Sequence, residues 1–279
     1  MKYFGKTVCI LTFISFFMLP GCSPKIMTAA YEGNTPVVKQ LLDQGIDINT
    51  RDKGWTPLLV ALQHHRIETA RVLIESGADI TIIIPDGRNA LLFASHGGFT
   101  EICKMLLEKG ADPNLVSAEY GTSLWTASVM NRDGVVKLLL ENGARIDEGN
   151  LGCDRTALME ASWHGNTNIV KILIENGAKI NNKDCNGGTA LIFATLKGHL
   201  QTMSFLIDSG ADVNLTDTKG RSPLMMATGK GFLEATELLL KKGAKVNLLS
   251  AEGETALSNA KTYNFNDIIN LLVSKGAKN

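Results

Sequence analysis

The chain lacks an excess of charge of either sign, since 28 Lys and Arg side chains balance 28 Asp and Glu side chains in 279 residues. A near-neutral chain has no overall attraction for phosphate backbones or anionic lipid, which argues against a nucleic-acid-binding protein. Aromatic residues are also scarce, at 6%. The core must therefore be built mainly from Leu, Ile, Val and Ala, which favours packed helices over a β-sandwich.

Motifs typical of a catalytic or metal site are missing too. The sequence has no Gly-rich phosphate loop, no Ser-centred nucleophile elbow and no carboxylate pairs at matching positions. Its five His residues do not recur with Cys or acidic residues at the spacing of metal ligands. Basic and acidic residues alternate in the loops, so no continuous positive stripe forms for nucleic acid. We therefore expect a protein that is not an enzyme and that has no cofactor, no metal and no small-molecule substrate. An enzyme is the alternative from a different functional class.

The N-terminal residues indicate an export signal. Lys2 and Lys6 precede an apolar run over residues 8–19, which is shorter than the roughly 20 residues that span a bilayer. Leu19-Pro20-Gly21-Cys22 follows and resembles the lipobox of bacterial lipoproteins, with Pro20 as a departure from the usual residue. This resemblance implies a signal peptide over residues 1–21 and a lipid on Cys22. An ordinary secretory signal with an incidental Cys22 is the alternative.

The location that follows is the envelope of a bacterium, with the chain held on a membrane by the lipid on Cys22. The next residue is Ser23 rather than Asp, so the signal that retains lipoproteins of enteric bacteria at the inner membrane is missing. This favours the outer membrane, with the protein facing the periplasm. A soluble periplasmic or secreted protein is the alternative.

A repeat of about 33 residues covers the rest of the chain. Each repeat contains a residue that can cap the N-terminus of a helix, and this cap is followed by Pro, Ala or Ser and then by Leu. An Ala stands five positions after the cap. The seven clear caps are spaced by 33, 33, 34, 33, 33 and 33 residues, and each Ala is followed after 16 residues by Gly. Counting back from Gly45 adds a first, weaker repeat. The predicted repeats are 24–51, 52–84, 85–117, 118–151, 152–184, 185–217, 218–250 and 251–279. The caps are Thr56, Asn89, Thr122, Thr156, Thr189, Ser222 and Thr255.

Each repeat predicts two helices joined by a left-handed turn. The cap side chain satisfies free amides at the start of the first helix. Four residues after the Ala, seven of the eight repeats have Gly or Asn, which tolerate positive φ, whereas repeat two has His65 and should be strained there. The second helix carries apolar pairs such as Val135-Val136 and Leu139-Leu140 at the spacing of a core face. The predicted fold is an all-α repeat solenoid of stacked helix-turn-helix units with hairpin-like loops.

Gly54-Trp-Thr-Pro-Leu58 and Gly110-Ala-Asp-Pro-Asn114 resemble the ankyrin repeat, and the resemblance continues in register from Pro24 to Asn279. It implies a non-enzymatic protein–protein interaction module that binds its partner on a concave face of loop tips and first helices. The family's His after Thr-Pro-Leu is replaced in every repeat, so we expect its hydrogen bond to the Thr to be lost. The partner-binding candidates at matching positions are Trp55, Arg88, His96, Tyr120, Arg155, Trp163, His164, Lys197, Arg221 and Lys230.

Trp163 is the strongest of these candidates. A Trp on the solvent side of a helix, beside His164 and near Arg155, is typical of an interface anchor, although packing against the next repeat explains it equally well. We expect an envelope-anchored scaffold for another protein. A surface-exposed or released protein that binds a host or neighbouring-cell protein is the alternative.

Cys153 and Cys185 fall in adjacent loops, so a disulfide is conceivable in an oxidising periplasm. Neighbouring helical layers lie about 10 Å apart, however, which is too far for a bridge unless the loops bend. The spacing therefore favours free thiols and leaves the disulfide open. Cys103 occupies a core position of a second helix and should act as a small apolar residue.

Overall fold

The computed structural model describes residues 24–150 and 152–278. The predicted signal peptide and the predicted lipid site Cys22 lie outside the described residues. Within these two ranges, no helix is long and apolar enough to cross a membrane.

The described residues form sixteen α-helices in eight pairs, which we number one to eight in chain order. The first helices of the pairs are α1 (Lys25–Glu32), α3 (Pro57–Gln63), α5 (Ala90–Gly97), α7 (Ser123–Val129), α9 (Ala157–His164), α11 (Ala190–Lys197), α13 (Pro223–Lys230) and α15 (Ala256–Thr262). The second helices are α2 (Thr35–Asp43), α4 (Ile67–Glu75), α6 (Thr100–Glu108), α8 (Asp133–Glu141), α10 (Thr167–Glu175), α12 (Leu200–Asp208), α14 (Leu233–Lys241) and α16 (Asn266–Ser274). The predicted all-α repeat solenoid is confirmed.

The described residues divide into two compact units with the boundary between Ala78 and Asp79, so that pairs one and two lie in the first unit and pairs three to eight in the second. Inside each unit, first helices pack against neighbouring first helices and second helices against neighbouring second helices. The helices of each unit thus form two layers, and neighbouring pairs within a unit cover one another's apolar surfaces.

The predicted caps begin their helices. All seven cap side chains accept a hydrogen bond from the backbone N–H three residues later, as Asn89 does from Leu92 at 2.8 Å. In pair eight the hydroxyl of Ser258 also accepts a hydrogen bond from the backbone N–H of Thr255, at 2.8 Å. Ser258, which stands where the family has His, thus makes a different hydrogen bond to Thr255, because Ser is short and polar enough to close a capping box.

The left-handed turn lies where the sequence predicts it, and His65 adopts it with φ at 58°. Thr69, the polar residue on the second helix of pair two, has a hydrogen-bond partner, since its buried hydroxyl lies 2.8 Å from that of Thr35. The core contains one Leu per second helix that is fully or almost fully buried, and these residues repeat along both units. They are Leu41, Leu73, Leu106, Leu139, Leu173, Leu206, Leu239 and Leu272.

Cys153 and Cys185 form a disulfide, with their Cα atoms 4.9 Å apart. The expectation of free thiols is wrong because it applied the spacing of helices to the loops. The loop tips hydrogen-bond to one another through their backbones: the N–H of Cys185 donates to the carbonyl of Cys153 at 3.0 Å, and that of Thr218 donates to Asn186 at 2.9 Å. Backbones joined in this way lie about 4.8 Å apart, as in a sheet, which is close enough for a disulfide.

Candidate protein-binding surface

One side of the first helices in the second unit carries a regular row of side chains. In pairs five to eight, those seven and eight residues after each cap reach the solvent, whereas those four residues after it are largely buried. Positions four, seven and eight residues after each cap have the i, i+3, i+4 spacing of one helix face. We call this row over pairs five to eight the first-helix face. Its occupants are Glu160, Trp163 and His164, then Phe193, Leu196 and Lys197, then Met226, Gly229 and Lys230, and finally Asn259, Thr262 and Tyr263.

Trp163 lies half-buried on this face and contacts the next pair. Its ring meets that of Phe193 edge to face, with the centroids 5.9 Å apart and the planes at 79°. The ammonium nitrogen of Lys197 lies 4.1 Å from the centroid of the indole. The C-terminal end of α9 is also tied to pair six, since Nε2 of His199 donates to the carbonyl of Trp163 at 3.0 Å. Packing against the next pair is thus a property of Trp163, and its contact with a partner stays a prediction.

Arg155 and Glu160 form a charged pair beneath the indole. Nε of Arg155 lies 3.0 Å from Oε1 of Glu160, and the guanidinium carbon lies 4.3 Å from the ring centroid of Phe193 and 5.6 Å from that of Trp163. Glu160 is only 4% exposed. Burial raises the pKa of Glu160, and the charge of Arg155 opposes this only in part. Two aromatic rings therefore enclose a cation whose counter-ion is buried.

His164 follows Trp163 at the exposed end of the helix. Burial of the ring is the main reason that its pKa is lowered, and the nearby charges of Arg155 and Lys197 lower it further. Its Nε2 lies 3.9 Å from Oε2 of Glu160. A pKa below the usual value of about 6.5 makes His164 a neutral hydrogen-bonding group at neutral pH rather than a cation.

Of the candidates of pairs three and four, Arg88 is buried and Tyr120 is partly exposed. Arg88 is 3% exposed, with its guanidinium carbon 4.7 Å from the ring centroid of Phe93 and 4.8 Å from that of Tyr120. Nε and Nη2 of Arg88 both donate to one oxygen of Asp86, at 2.9 and 2.6 Å. This arrangement ties a loop to its neighbours, so we leave Arg88 and Tyr120 out of the proposed surface.

The other candidates differ in exposure. Arg221 is partly exposed and donates from Nε and Nη2 to Oδ2 of Asp217, at 2.8 and 2.6 Å. Lys230 is exposed on α13, and His96 is half-buried on α5. Trp55 belongs to the first unit, where its backbone N–H donates to Asp52 at 2.9 Å and closes a tight loop. The structure thus brings together Arg155, Trp163, His164 and Lys197, and it places Lys230 and Arg221 farther along the same face, in pair seven. Trp55, Arg88, His96 and Tyr120 lie in pairs two to four.

Metal-binding chemistry has no support in the described ranges. No group of three or more His, Cys, Asp or Glu side chains there could hold a metal ion. The thiol of Cys103 is buried, and burial raises its pKa to about 12, so it remains a protonated and unreactive core group.

Comparison with known proteins identifies the fold family. A family model described as "Ankyrin repeats (3 copies)" matches residues 16–84, 83–150, 147–217 and 206–279, which is nearly the whole chain. The chain belongs to the ankyrin repeat family. The predicted resemblance in the repeats is therefore confirmed.

Individual relatives share shorter stretches of this ankyrin chain. A putative ankyrin repeat protein of Rickettsia bellii is 39% identical over 69 residues, or 24% of this chain and 29% of the relative. An ankyrin repeat-containing protein of Schizosaccharomyces pombe is 39% identical over 70 residues, or 25% of this chain and 34% of the relative. Human protein phosphatase 1 regulatory subunit 27 is 43% identical over 60 residues, or 21% of this chain and 39% of the relative. The matched stretches span about a third of each relative's length.

Two residues of the first-helix face, Glu160 and Phe193, are not predicted from the sequence. Glu160 and Phe193 lie three residues before Trp163 and Leu196, at the largely buried position four residues after the cap, which is not among the positions predicted to bind a partner. The signal was available, because this position holds an acidic residue in repeat five and apolar residues or short polar residues in its neighbours. An acidic residue in an otherwise uncharged row of a packed repeat is a candidate for a buried ion pair.

Proposed function

We propose that the ankyrin domain binds a protein partner through the first-helix face, with Trp163 at the centre of the contact. Ankyrin repeats indicate a protein–protein interaction module. The observation that carries the proposal is a half-exposed indole held by Phe193 on one side and Lys197 on another. Trp and Arg are enriched among the residues that dominate binding energies at interfaces.

The surroundings of Trp163 support this role because they hold the side chain in one orientation. Arg155 and Phe193 limit the rotation of the indole, and His199 fixes the backbone at the end of its helix. A side chain that is already ordered loses less conformational entropy when a partner binds, and that loss costs about 0.5–1.5 kcal/mol for a flexible side chain. An ordered aromatic residue on an exposed face suits recognition of another protein.

One relative supports the same class of function. The human relative is named as a regulatory subunit of protein phosphatase 1, so its name describes a chain that acts through another protein. We infer that the present chain is likewise not itself an enzyme. Turnover of a substrate by the purified protein, lost when residues of the first-helix face are replaced, would contradict this inference.

The experiment compares capture of proteins from cell extract by the wild type, Trp163→Ala and Lys137→Ala, with quantitative mass spectrometry. Lys137 is exposed on α8, away from the first helices, and serves as the matched control. We expect Trp163→Ala to lose at least about 2 kcal/mol of binding free energy to the captured protein, or about 30-fold in affinity, and the control to bind as the wild type does. The denaturation midpoint is measured alongside. A large fall in stability with unchanged binding would show that Trp163 only packs.

We further propose that the chain is exported and anchored to the bacterial envelope by a lipid on Cys22, with the outer membrane facing the periplasm as the favoured location. Leu19-Pro20-Gly21-Cys22 supports the lipid, and the disulfide between Cys153 and Cys185 supports an oxidising compartment. The lipid would hold the ankyrin repeats at the membrane while the first-helix face remains available to the partner. A surface-exposed or released protein that binds a host or neighbouring-cell protein is the second possibility.

A further inference from the structure

A depression of about 220 Å³ lies on the first-helix face and extends over pairs six to eight. Its lining is mixed: Leu196, Met225, Met226 and Tyr263 contribute apolar surface, and Arg221, Lys230 and Glu254 contribute charge. Tyr263 is 60% exposed, which is high for a large aromatic side chain. The volume and the lining suit one bulky side chain rather than a free metabolite.

Gly229 creates the space of this depression, and the fold does not require a glycine there. The residue lies in helix α13 with no positive φ, and an added Cβ would meet only Asn259, at an ordinary 3.8 Å. Glycine inside a helix is less stable than alanine, so this residue carries a cost without a packing reason. Gly97, on α5, is different, because a Cβ there would lie 2.4 Å from the ring of Phe99. The open space at Gly229 therefore points to an occupant.

The charge near the depression is positive toward pairs six and seven. Lys197 and Lys230 are exposed, and neither forms an ion pair with any residue that the structure describes. Glu160 is buried against Arg155, and Glu254 lies at the pair-eight edge of the depression. Two ammonium groups therefore remain available for carboxylates of a partner.

The positions of the two lysines also determine how far apart carboxylates must lie in a bound segment. Lys197 and Lys230 occupy the same position on adjacent first helices, which pack about 8–10 Å apart. An extended chain advances at most about 3.3–3.6 Å per residue, so roughly three residues span that distance. Carboxylates about three residues apart in a bound segment would reach both lysines.

We propose that the partner presents an acidic segment in which one bulky apolar side chain enters the depression at Gly229 and nearby carboxylates bind Lys197 and Lys230. This proposal rests on the proposed function and adds the chemistry of the partner to it. The apolar side chains that line the depression select the central side chain of the segment, while the lysines select the charge and the spacing of its neighbours. A basic segment would place like charges together and would be rejected.

The test begins with selection of random 12-residue peptides displayed on phage against the purified full-length protein. We expect the recovered peptides to carry Asp or Glu about three positions apart, close to Leu, Ile, Met, Phe or Trp. A recovered peptide is then made synthetically, labelled and titrated against protein variants. Because the contact is charged, its affinity should fall when the salt concentration is raised.

Gly229→Met should weaken binding of the peptide by at least tenfold, because the new side chain fills the depression, while the midpoint of unfolding stays the same or rises. Gly229→Ala should also weaken binding, but by less. Because Ala does not disturb a helix, this variant tests the proposal even if Met alters the structure. Lys197→Glu and Lys230→Glu should each weaken binding by at least tenfold. Lys137→Glu, an equal change of charge on a second helix, should leave the affinity within twofold.

Three outcomes would overturn the proposal: peptides without acidic residues, binding that is unaffected by the Gly229 and lysine variants, or recovery of no peptide. Peptides of any other composition whose binding depends on Trp163 would leave the proposed function intact and remove only the acidic segment. If peptides bind independently of Trp163, and if Trp163→Ala also captures proteins as the wild type does, the proposed function fails as well.

Discussion

The ammonium nitrogen of Lys197 lies 4.1 Å from the centroid of the Trp163 indole and so joins helix pair six to helix pair five. A cation over the face of a Trp ring contributes about 0.5–1 kcal/mol at an exposed site. The contact holds both side chains on the first-helix face before any partner is present. Lys197 thus supports Trp163 and also supplies one of the two positive charges of the first-helix face that are available to a partner.

Glu160 should make stability depend on pH. Burial raises its pKa, so its contribution to stability is present below the unfolded value of about 4.3 and is lost as the pH rises through the folded value. Replacement of Glu160 by neutral Gln removes this loss of stability at higher pH. The free energy of unfolding of Glu160→Gln, measured relative to wild type by urea denaturation, should therefore increase from pH 4 to pH 7.

The neighbouring His164 titrates in both proteins, so most of its effect cancels in the difference. Glu175→Gln, on an exposed part of helix α10, is the control and should show a nearly constant difference from wild type over the same range. A difference for Glu160→Gln that stays flat or falls with pH would show that Arg155 stabilises the ionised carboxylate more than burial destabilises it.

The disulfide between Cys153 and Cys185 should stabilise the loops of pairs five and six. It closes a separation of 32 residues, and loss of such a bridge costs about 2–4 kcal/mol. Dithiothreitol should lower the denaturation midpoint of the wild type and leave that of the Cys153→Ser, Cys185→Ser double variant unchanged. Alkylation of both residues in unreduced protein recovered from the cells would contradict this expectation, with buried Cys103 as an internal control.

The sequence predicts the helical part of the molecule well because the signals are local and recur. Caps such as Asn89, the left-handed turns and the buried Leu of each second helix all lie where the repeat places them. The spacing of about 33 residues gives eight chances to recognise each signal, so an error in one repeat is corrected by its neighbours.

The sequence fails where contacts depend on the path of the loops or on neighbouring repeats. The helix spacing predicts a distance too long for a disulfide, but the loop tips lie closer together than the helices because the N–H of Cys185 donates to the carbonyl of Cys153. Arg88 and Arg155 share a position in the repeat, yet one pairs with Asp86 and is buried, whereas the other pairs with Glu160 beside Trp163. The two outcomes differ because the position four residues after the cap holds Glu160 in repeat five and Phe93 in repeat three, so that only Arg155 has a carboxylate on the first helix.

His65 should limit the stability of the first unit. It has φ at 58°, and this left-handed conformation costs an L residue about 1–2 kcal/mol. We expect His65→Gly to increase the free energy of unfolding by about 0.5–1 kcal/mol after the entropy cost of glycine is subtracted. Asn131→Gly is the matched control and should change less, because Asn tolerates the same turn.

Hydrogen exchange measures the local stability around His65 directly. In the wild type, amides of residues 61–74 should exchange faster than those of residues 161–174, and His65→Gly should reduce the difference. Equal protection of the two segments in the wild type would remove His65 as a weak point of the chain.

Replacement of the proposed lipid site should abolish the membrane anchor. Because Cys22 ends the sequence Leu19-Pro20-Gly21-Cys22, Cys22→Ala should leave an unlipidated precursor or a mis-sorted protein. Metabolic labelling with an alkyne analogue of palmitate measures the lipid directly, and Cys103→Ala serves as the control for loss of a cysteine elsewhere. Equal labelling of the wild type and Cys22→Ala would exclude a lipid on this residue.

Site-specific photo-crosslinking in intact cells tests the central claim most directly. A photoreactive phenylalanine analogue is placed in turn at positions 163, 197 and 230 of the first-helix face and at position 137 of helix α8, and crosslinked products are identified by mass spectrometry. The account predicts that the three face positions yield the same crosslinked protein and that position 137 does not. A product from position 137 alone, or no common product from the three face positions, would contradict it.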